Sequence, residues 1–557
     1  MRASVKRGVD AAGARRRREE NVIELRKAKR DGQLQQKRRA LAGADAESGG
    51  GGAGGGAPDA EADAAAARQA LRDLPALAAG LASPDAGRRL DAARGLRKLL
   101  SADREPPIAE VVAAGAVPGL VTLLRADPSP DARLEAAWAL TNLASGATEA
   151  AAAVAAAGGG AALAAAIAEA GAGAELREQA AWGVGNLAGD SVALRDHLLG
   201  LGVLRTLAAQ VSEDAPLGVL RTAAWALCNL CRGRPAPDLS VTREALPALA
   251  LLARCPDEQA AADACWALAH LSEGAPPRAE ALLASGVCPR LVELLLHPSP
   301  AVVLPALRAL GNATTGDERH TQAVIDCGAL PLLGLLLGDG QSKRVRREAA
   351  WTLSNVAAGS KAQIQAVLDA GLLPPLVALM QGGEFEVRKE AAWAVTNAAC
   401  GGAPEQLHAL VKAGAIRPLC ELLGSVDTTT AAVALEGLEA ILAAGDAAGR
   451  AARGGSNPYA ALVEDAEGVE RLEALQEHSN QILYERAVAV LEAYFGAEEE
   501  EAGGGGAGGT YAFGGAAAAA PPPGGGFSFG GGGSGGSGGS GGGSGGGSAL
   551  PAGSMVL

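Results

Sequence analysis

The sequence predicts an all-α solenoid, a protein built from successive copies of one helical unit. Three observations support this prediction. All six tryptophans of the 557-residue chain stand in near-copies of one apolar segment, of which EAAWALTNLASG (Glu135 to Gly146) is the first. The steps between consecutive tryptophans are 44, 43, 41, 85 and 42 residues. A proline also begins a leucine-rich segment at the same interval, as in GAVPGLVTLL and GALPLLGLLL.

Each unit is predicted to contain a short first helix, a second helix that begins at proline, and a third helix that carries Trp and Asn and ends at Gly. Two or three helices in 41–44 residues are typical of armadillo or HEAT repeats. The 85-residue step holds two units, and Arg308 takes the tryptophan position at its midpoint. We expect about ten units between residues 69 and 495, with atypical end units as caps. The prolines are Pro118, Pro247, Pro289, Pro331 and Pro374.

The segments outside this array have a different composition. Residues 1–45 form a basic arm, and residues 46–68 are rich in Gly and Ala, as in a flexible linker. Residues 496–557 are first acidic and then a Gly/Ser tract with too few apolar side chains to fold. We therefore expect a folded solenoid at residues 69–495 between a flexible arm and a disordered tail.

Charge is distributed unevenly along the chain. Residues 1–40 contain 14 Lys/Arg and five Asp/Glu, so their charge is +9 and the remainder carries −13 − 9 = −22. An acidic body repels nucleic acid and favours basic partners, including its own arm. The eight cysteines lie mostly in apolar segments and no secretory signal is evident, which predicts a reducing compartment.

The sequence gives little support for a membrane span, a metal site or catalysis. Ala150–Ala168 is uncharged over 19 residues, but it consists mainly of Ala and Gly, which partition weakly into lipid. A CxxC at Cys228 and Cys231, with two cysteines downstream, suggests zinc as an alternative, but its apolar helical setting disfavours this. No nucleotide-binding glycine motif occurs and the six histidines are scattered. We expect no enzyme, no metal and no cofactor.

Tryptophan and asparagine stand four residues apart in the third helix, so they share one face of it. A repeated tryptophan usually packs in the core, which is the alternative interpretation. In EAAWALTNL, however, the small and apolar neighbours can fill the core, and an asparagine in a helix interior needs polar partners. We therefore expect two parallel ladders on one surface. The pairs are Trp138/Asn142, Trp182/Asn186, Trp225/Asn229, Trp351/Asn355 and Trp393/Asn397.

An extended basic peptide would explain both ladders. A carboxamide offers a donor and an acceptor to a peptide backbone, and slots between indoles suit the stems and cations of Lys and Arg. Asp190 follows the second repeat segment, and four more carboxylates stand three residues before the tryptophan position. These four are Glu135, Asp263, Glu348 and Glu390. The sequence thus predicts an acidic groove for a Lys/Arg-rich peptide.

Arg308 interrupts this groove. Its guanidinium would repel a basic peptide or pair with a neighbour such as Glu318, so we expect two separate sites. Three repeat steps separate Trp225 from Trp351, about 30 Å at 8–10 Å per step, which about nine extended residues span. Ligands with two basic clusters about ten residues apart should bridge both sites. The larger site holds Trp138, Trp182 and Trp225, and the smaller holds Trp351 and Trp393.

The basic arm carries a candidate ligand for the groove. In RRRREENVIELRKAKRDGQLQQKRRA, clusters at Arg15–Arg18 and Lys37–Arg39 are separated by 18 residues. The alternative is that the arm binds nucleic acid or serves as a localisation signal. Its basic side chains are Arg15, Arg16, Arg17, Arg18, Arg26, Lys27, Lys29, Arg30, Lys37, Arg38 and Arg39.

These segments resemble the importin-α (karyopherin-α) family of nuclear import adaptors. The arm resembles its importin-β-binding domain, and AAWALTNLASG, GNLAGDS, NLCRG, CWALAHLSEG and PALRALGN resemble its successive armadillo repeats in order. Residues 457–495 resemble its last repeat, which meets the export receptor together with Ran-GTP. The resemblance implies that the chain carries cargo with mono- or bipartite basic signals, links it to importin-β and shuttles between cytoplasm and nucleus.

The resemblance also implies roles for individual residues. Asp190 and the Gly189 carbonyl would receive the key lysine of the signal. Lys37–Arg39 would occupy the major site when importin-β is absent, which is autoinhibition. The major site would comprise Trp138, Asn142, Trp182, Asn186, Gly189, Asp190, Trp225, Asn229 and Asp263. The minor site would comprise Arg308, Asn312, Glu318, Glu348, Trp351, Asn355, Glu390, Trp393 and Asn397.

Two positions depart from the family pattern. Ala151 stands where a threonine usually helps to hold the lysine, and His270 replaces a tyrosine beside Trp266, so we expect a weaker or shifted cargo preference. In the tail, GFSFGG at Gly526–Gly531 resembles a nucleoporin repeat unit, although a single copy is typical of plain disorder. The rival functions are a static armadillo scaffold or a basic-tailed RNA binder. Such scaffolds usually have a basic groove, whereas this one is predicted to be acidic.

Overall fold

The structure is a computed structural model, and it describes residues 60–101, 106–451 and 456–496. Regular secondary structure in these ranges is helical throughout, with no strand. The basic arm, most of the linker and the tail from residue 497 lie outside the described residues. The predictions made for those segments therefore stay predictions.

Ten long helices recur along the described chain, and each packs on the next to form one continuous apolar core. They are the predicted third helices, and their number agrees with the expected ten or so units. The armadillo-like solenoid predicted from the spacing is confirmed. The ten helices are Ala86–Leu100, Pro130–Ala144, Ala174–Asp190, Leu217–Cys231, Glu258–Ser272, Pro300–Ala313, Lys343–Ala357, Phe385–Gly401, Thr428–Ala451 and Gln481–Tyr494.

Shorter first and second helices complete each unit. The predicted prolines lie within the first three residues of second helices, where the missing N–H of proline leaves no helical hydrogen bond unmade. The second helices are Ala60–Gly80, Ala116–Ala126, Gly159–Ala168, Val203–Ala208, Leu246–Leu252, Cys288–Glu293, Ala329–Leu336, Leu373–Gly382, Ile416–Leu423 and Gly468–Leu475. The first helices are Ile108–Ala113, Thr148–Ala156, Val192–Gly200, Leu239–Thr242, Pro276–Ala284, Glu318–Asp326, Lys361–Asp369, Pro404–Lys412 and Ala460–Glu464. Two 3-10 turns, Arg243–Ala245 and Leu294–Leu296, join these elements.

A left-handed glycine forms the corner between first and second helices in seven units, with φ between 69° and 87°. A Cβ added at any of the seven would meet no atom within 4 Å, so the backbone angle, and not crowding, requires glycine there. In the last unit Glu467 takes this conformation with φ 58°. The seven corners are Gly115, Gly158, Gly202, Gly286, Gly328, Gly371 and Gly414.

The array begins earlier than the composition suggests. Helix Ala60–Gly80 starts inside residues 46–68, the segment predicted to be a linker. The run Ala64–Ala67 explains the difference, because alanine has the highest helix propensity of all residues.

No single helix in the described ranges is long and apolar enough to cross a membrane. Two bent pairs of helices have the length and apolar composition of a membrane span only when the two helices of each pair are counted together. One of them, Thr148–Ala156 with Gly159–Ala168, contains the uncharged segment Ala150–Ala168, and it bends by 69° between its two helices.

Candidate peptide-binding groove

The indoles lie at the edge of the core. Each tryptophan stands on a third helix, and five of the six are half-buried, whereas Trp182 is 9% exposed. The core positions beside Trp138 are filled by smaller neighbours, since Ala137 and Leu140 are both fully buried. Because consecutive third helices pack on one another, the indoles form a row along one surface of the described array.

Two glycines let indoles approach the preceding helix closely. A Cβ at Gly185 would clash with the ring of Trp225, and a Cβ at Gly311 would clash with the ring of Trp351. Each glycine stands directly before the asparagine position of its own helix. The place of these two indoles therefore depends on the absence of a side chain one repeat earlier.

The asparagines are buried and join neighbouring repeats. Their exposure lies between 1% and 6%, and each Nδ2 donates to an acceptor in the preceding unit. The bonds are Asn142 to Ser101 Oγ at 3.0 Å, Asn186 to Thr141 O at 3.0 Å, Asn229 to Gly185 O at 3.0 Å, Asn312 to Ala269 O at 2.8 Å, Asn355 to Gly311 O at 3.4 Å and Asn397 to Ser354 O at 2.9 Å.

This arrangement gives the carboxamides a structural role beside the peptide contacts that the sequence predicts. One N–H of each amide already stabilises the contact between repeats, because the carbonyl of the preceding helix lies within its reach. The Oδ1 atoms of Asn142 and Asn397 are buried and accept no hydrogen bond from described residues. Such orphaned acceptors are unfavourable, and a peptide N–H would satisfy them.

Asp190 ends the helix Ala174–Asp190 and contacts the first helix of its own unit, Thr148–Ala156. Its Oδ1 accepts a hydrogen bond from Thr148 Oγ1 at 3.1 Å, while its Oδ2 is buried without a hydrogen-bond partner among the described residues. Sequence reasoning missed Thr148, which stands 42 residues before Asp190. Ala151 is fully buried and carries no hydroxyl, whereas Thr148 donates one to Asp190.

The Gly189 carbonyl already accepts a hydrogen bond within the chain. It accepts from Arg232 Nη2 at 3.0 Å, so a lysine of the ligand would donate to the second lone pair of this oxygen. Arg195, with 2% of its surface exposed, in turn donates to the Arg232 carbonyl at 2.7 Å and pairs with Asp196. Arg232 and Arg195 thus fix the backbone beside Asp190, and neither was identified from the sequence.

Two of the predicted groove carboxylates are neutralised within the chain. Glu135 pairs with Arg97 at 2.7 Å and Arg94 at 3.3 Å. Glu348 pairs with Arg308, whose Nε lies 2.7 Å from Oε2, and with Arg347. Both carboxylates thus already have arginine partners from the same or the preceding repeat, and their role toward a basic ligand stays a prediction.

Arg308 consequently has a carboxylate partner within the described chain, Glu348 from the next third helix. The sequence suggests Glu318 as a partner, which stays a prediction; Glu318 begins the helix Glu318–Asp326, and its backbone oxygen accepts from Gln363 Nε2 at 2.8 Å. Burial alone would raise the pKa of Glu348, but Arg308 and Arg347 outweigh it and lower that pKa to about 2.

His270 packs on its neighbour in the same helix. Its ring stacks against that of Trp266 with centroids 5.9 Å apart and an angle of 27° between the planes. An imidazole therefore covers part of this indole, and Arg308 takes the next position of the row. Asp263, on the same helix, is 8% exposed.

The structure places the described residues of each predicted site on neighbouring helices. The major set lies on four consecutive third helices, Pro130–Ala144, Ala174–Asp190, Leu217–Cys231 and Glu258–Ser272. The minor set lies on Pro300–Ala313, Lys343–Ala357 and Phe385–Gly401, with Glu318 on the adjoining first helix. The basic side chains of the arm lie outside the described residues.

Family models match most of the array and its N-terminal side. A model of the importin beta binding domain matches residues 2–94. The armadillo/beta-catenin-like repeat model matches residues 104–145, 191–232, 276–315, 317–358 and 360–400. A model of an atypical Arm repeat matches residues 457–507.

The chain is similar to plant proteins over nearly its whole length. It is 45% identical to importin subunit alpha-1a of Oryza sativa subsp. japonica over 487 residues, 87% of this chain and 90% of that protein. It is 43% identical to importin subunit alpha-3 of Arabidopsis thaliana over 488 residues, with the same two coverages. Among solved structures, an engineered protein aligns with a TM-score of 0.68 and 30% identity, over 76% of this chain and 99% of that one.

Proposed function

The chain belongs to the importin-α family of nuclear import adaptors, which bind cargo and importin-β, and we propose how its groove performs this task. The major site on the first four tryptophan-bearing helices takes a lysine of the cargo signal at Asp190. Half-buried indoles hold the stems of neighbouring Lys and Arg side chains. The minor site around Trp351 and Trp393 takes the second cluster of a bipartite signal.

One observation carries the assignment of the lysine pocket. The Oδ2 atom of Asp190 is buried but has no hydrogen-bond partner among the described residues, while Thr148 holds the other oxygen. A buried carboxylate oxygen without a donor is costly, and an ammonium group would satisfy it. This favours lysine, whose compact cation fits a small pocket, over the larger planar guanidinium.

The remaining assignments follow from the family. The basic arm binds importin-β and, in its absence, occupies the major site through Lys37–Arg39. The repeat at residues 457–495 meets the export receptor with Ran-GTP, so the adaptor shuttles between cytoplasm and nucleus. The single GFSFGG unit of the tail is the segment that would contact nucleoporins. The proposed organisation is an arm at residues 1–45, a connection at 46–68, an array at 69–495 and a tail at 496–557.

Reversing the charge of Asp190 tests the pocket. We expect Asp190→Lys to weaken binding of a lysine-rich monopartite peptide roughly a hundredfold, since a cation would be buried against the incoming ammonium. Fluorescence polarisation with the labelled peptide measures this, and circular dichroism checks the fold. Asp214→Lys, the same change in an exposed loop, is the matched control and should bind normally.

Two results would contradict the proposal. Unchanged affinity in Asp190→Lys would refute the pocket. Equal binding of the lysine-rich peptide and its charge-reversed twin by the unmodified chain would refute the acidic groove and favour a scaffold of another kind.

A further inference from the structure

The same three-residue cluster occurs twice in the described array. Arg97 lies over the ring of Trp138 with its guanidinium carbon 5.5 Å from the ring centroid, and Arg308 lies over Trp351 at the same distance. In each case the arginine comes from the preceding third helix. The indoles concerned are the first tryptophan of the chain and the first tryptophan after Arg308.

A carboxylate completes each cluster. Arg97 Nε lies 2.7 Å from Glu135 Oε2, and Arg308 Nε lies 2.7 Å from Glu348 Oε2. Both glutamates stand three residues before their tryptophan, so they are equivalent positions of the repeat. The two arginine side chains are mostly buried, with 10% and 20% of their surface exposed.

Each cluster reproduces the contacts that a ligand arginine would make. A guanidinium over an indole face and against a carboxylate is a favourable arrangement in a partly desolvated site. Here the chain's own arginine fills that position. The outer face of the first indole in each run is therefore occupied, and a peptide side chain can enter only on its other face.

We propose that Arg97 and Arg308 are register stops, which fix where a run of basic side chains of the peptide ends in the major and in the minor site. This rests on the proposed function, since it concerns peptides bound along the same indoles. The stops set specificity: a peptide gains nothing from an additional basic residue beyond Trp138 or beyond Trp351. Removal of the arginine uncovers the indole face and one of the two pairing positions of the carboxylate for an arginine of the ligand.

The test compares a lysine-rich core peptide with two longer versions that carry one arginine beyond its N-terminal or its C-terminal end. For each longer peptide, the readout is the Kd of the core peptide divided by the Kd of the longer peptide. Both values are measured with the full-length chain, so that competition by the arm affects them equally and cancels in the ratio. In the unmodified chain we expect a ratio below about two. In Arg97→Ala we expect one extended peptide to bind roughly tenfold better than the core.

Three further variants separate the stop from general effects. Arg94→Ala, which also removes a partner of Glu135 but leaves the indole contact intact, should keep the ratio of the unmodified chain. Glu135→Gln combined with Arg97→Ala should lose most of the gain, since the carboxylate for the incoming arginine is gone. If Arg97→Ala fails to fold, Arg308→Ala in a chain that carries Asp190→Lys tests the minor site in the same way.

An identical ratio in the unmodified chain and in the arginine variant overturns the register stop while the proposed function stands. Failure of the unmodified chain to bind the core peptide at all overturns the proposed function, and the register stop with it.

Discussion

Glu348 is buried to 3% exposure, and two arginines neutralise it. Its pKa is lowered to about 2, below the value of 4.5 that an unperturbed glutamate has. A carboxylate whose folded-state pKa is depressed contributes stability that is complete above the unfolded pKa and is lost as the pH falls through the folded pKa. For Glu348 this contribution is complete above pH 4.5 and disappears as the pH falls to about 2.

We predict that Glu348→Ala lowers the free energy of unfolding by about 3 kcal/mol at pH 7, because Arg308 and Arg347 lose a buried partner. Urea unfolding measures this. Glu384→Ala is the control: its carboxylate pairs with Arg346 but is 43% exposed, so a change below about 1 kcal/mol is expected. The difference between the unmodified chain and Glu348→Ala should narrow between pH 5 and pH 3. A difference that stayed constant over that range would contradict the assigned pKa.

At the scale of the helix, the spacing between third helices decides where the indoles stand. Gly185 admits Trp225 in the major site, and Gly311 admits Trp351 in the minor site. We predict that Gly185→Ala displaces the Trp225 ring and weakens monopartite binding roughly tenfold, since overpacking of this kind costs about 1–3 kcal/mol. Gly311→Ala is the matched variant and should spare the major site while weakening a bipartite peptide. Isothermal titration with both peptides measures the two effects.

Equal losses of affinity for the monopartite peptide in Gly185→Ala and Gly311→Ala would contradict this prediction. They would mean that both substitutions act through the stability of the array and not through the local indole.

The positions of the helices could be predicted from the sequence, whereas most side-chain contacts between them could not. The tryptophan period and the five prolines indicate ten third helices and the starts of second helices, because both depend on local backbone chemistry. The partners of Asn186, Glu135 and Asp190 were not predictable. Each partner lies roughly 40 residues away, in the preceding unit for Asn186 and Glu135 and in the first helix of the same unit for Asp190. Periodicity shows which face a residue occupies, but the offset between adjacent helices determines which atom it meets.

At the scale of the whole molecule, charge separates the arm from the body, with +9 on residues 1–40 and −22 on the remainder. We predict that removal of residues 1–45 tightens binding of a monopartite peptide roughly tenfold, because a tethered competitor has a high effective concentration. Replacing Lys37, Arg38 and Arg39 by alanine should give most of the same gain at full length. Fluorescence polarisation titrations of the unmodified chain and the two variants measure the Kd of the peptide. Unchanged affinity in both variants would show that the arm has another role.

The left-handed glycine corners have a consequence for how such an array changes in length. Each of the seven corners forms the same turn without contact to its surroundings, so the chain returns to the same path in every unit that has one. A deletion or duplication of one complete period leaves every later corner in phase, whereas a partial one puts a side chain at a position that requires positive φ. Lengths therefore change in whole steps, and with them the number of indoles available to a cargo.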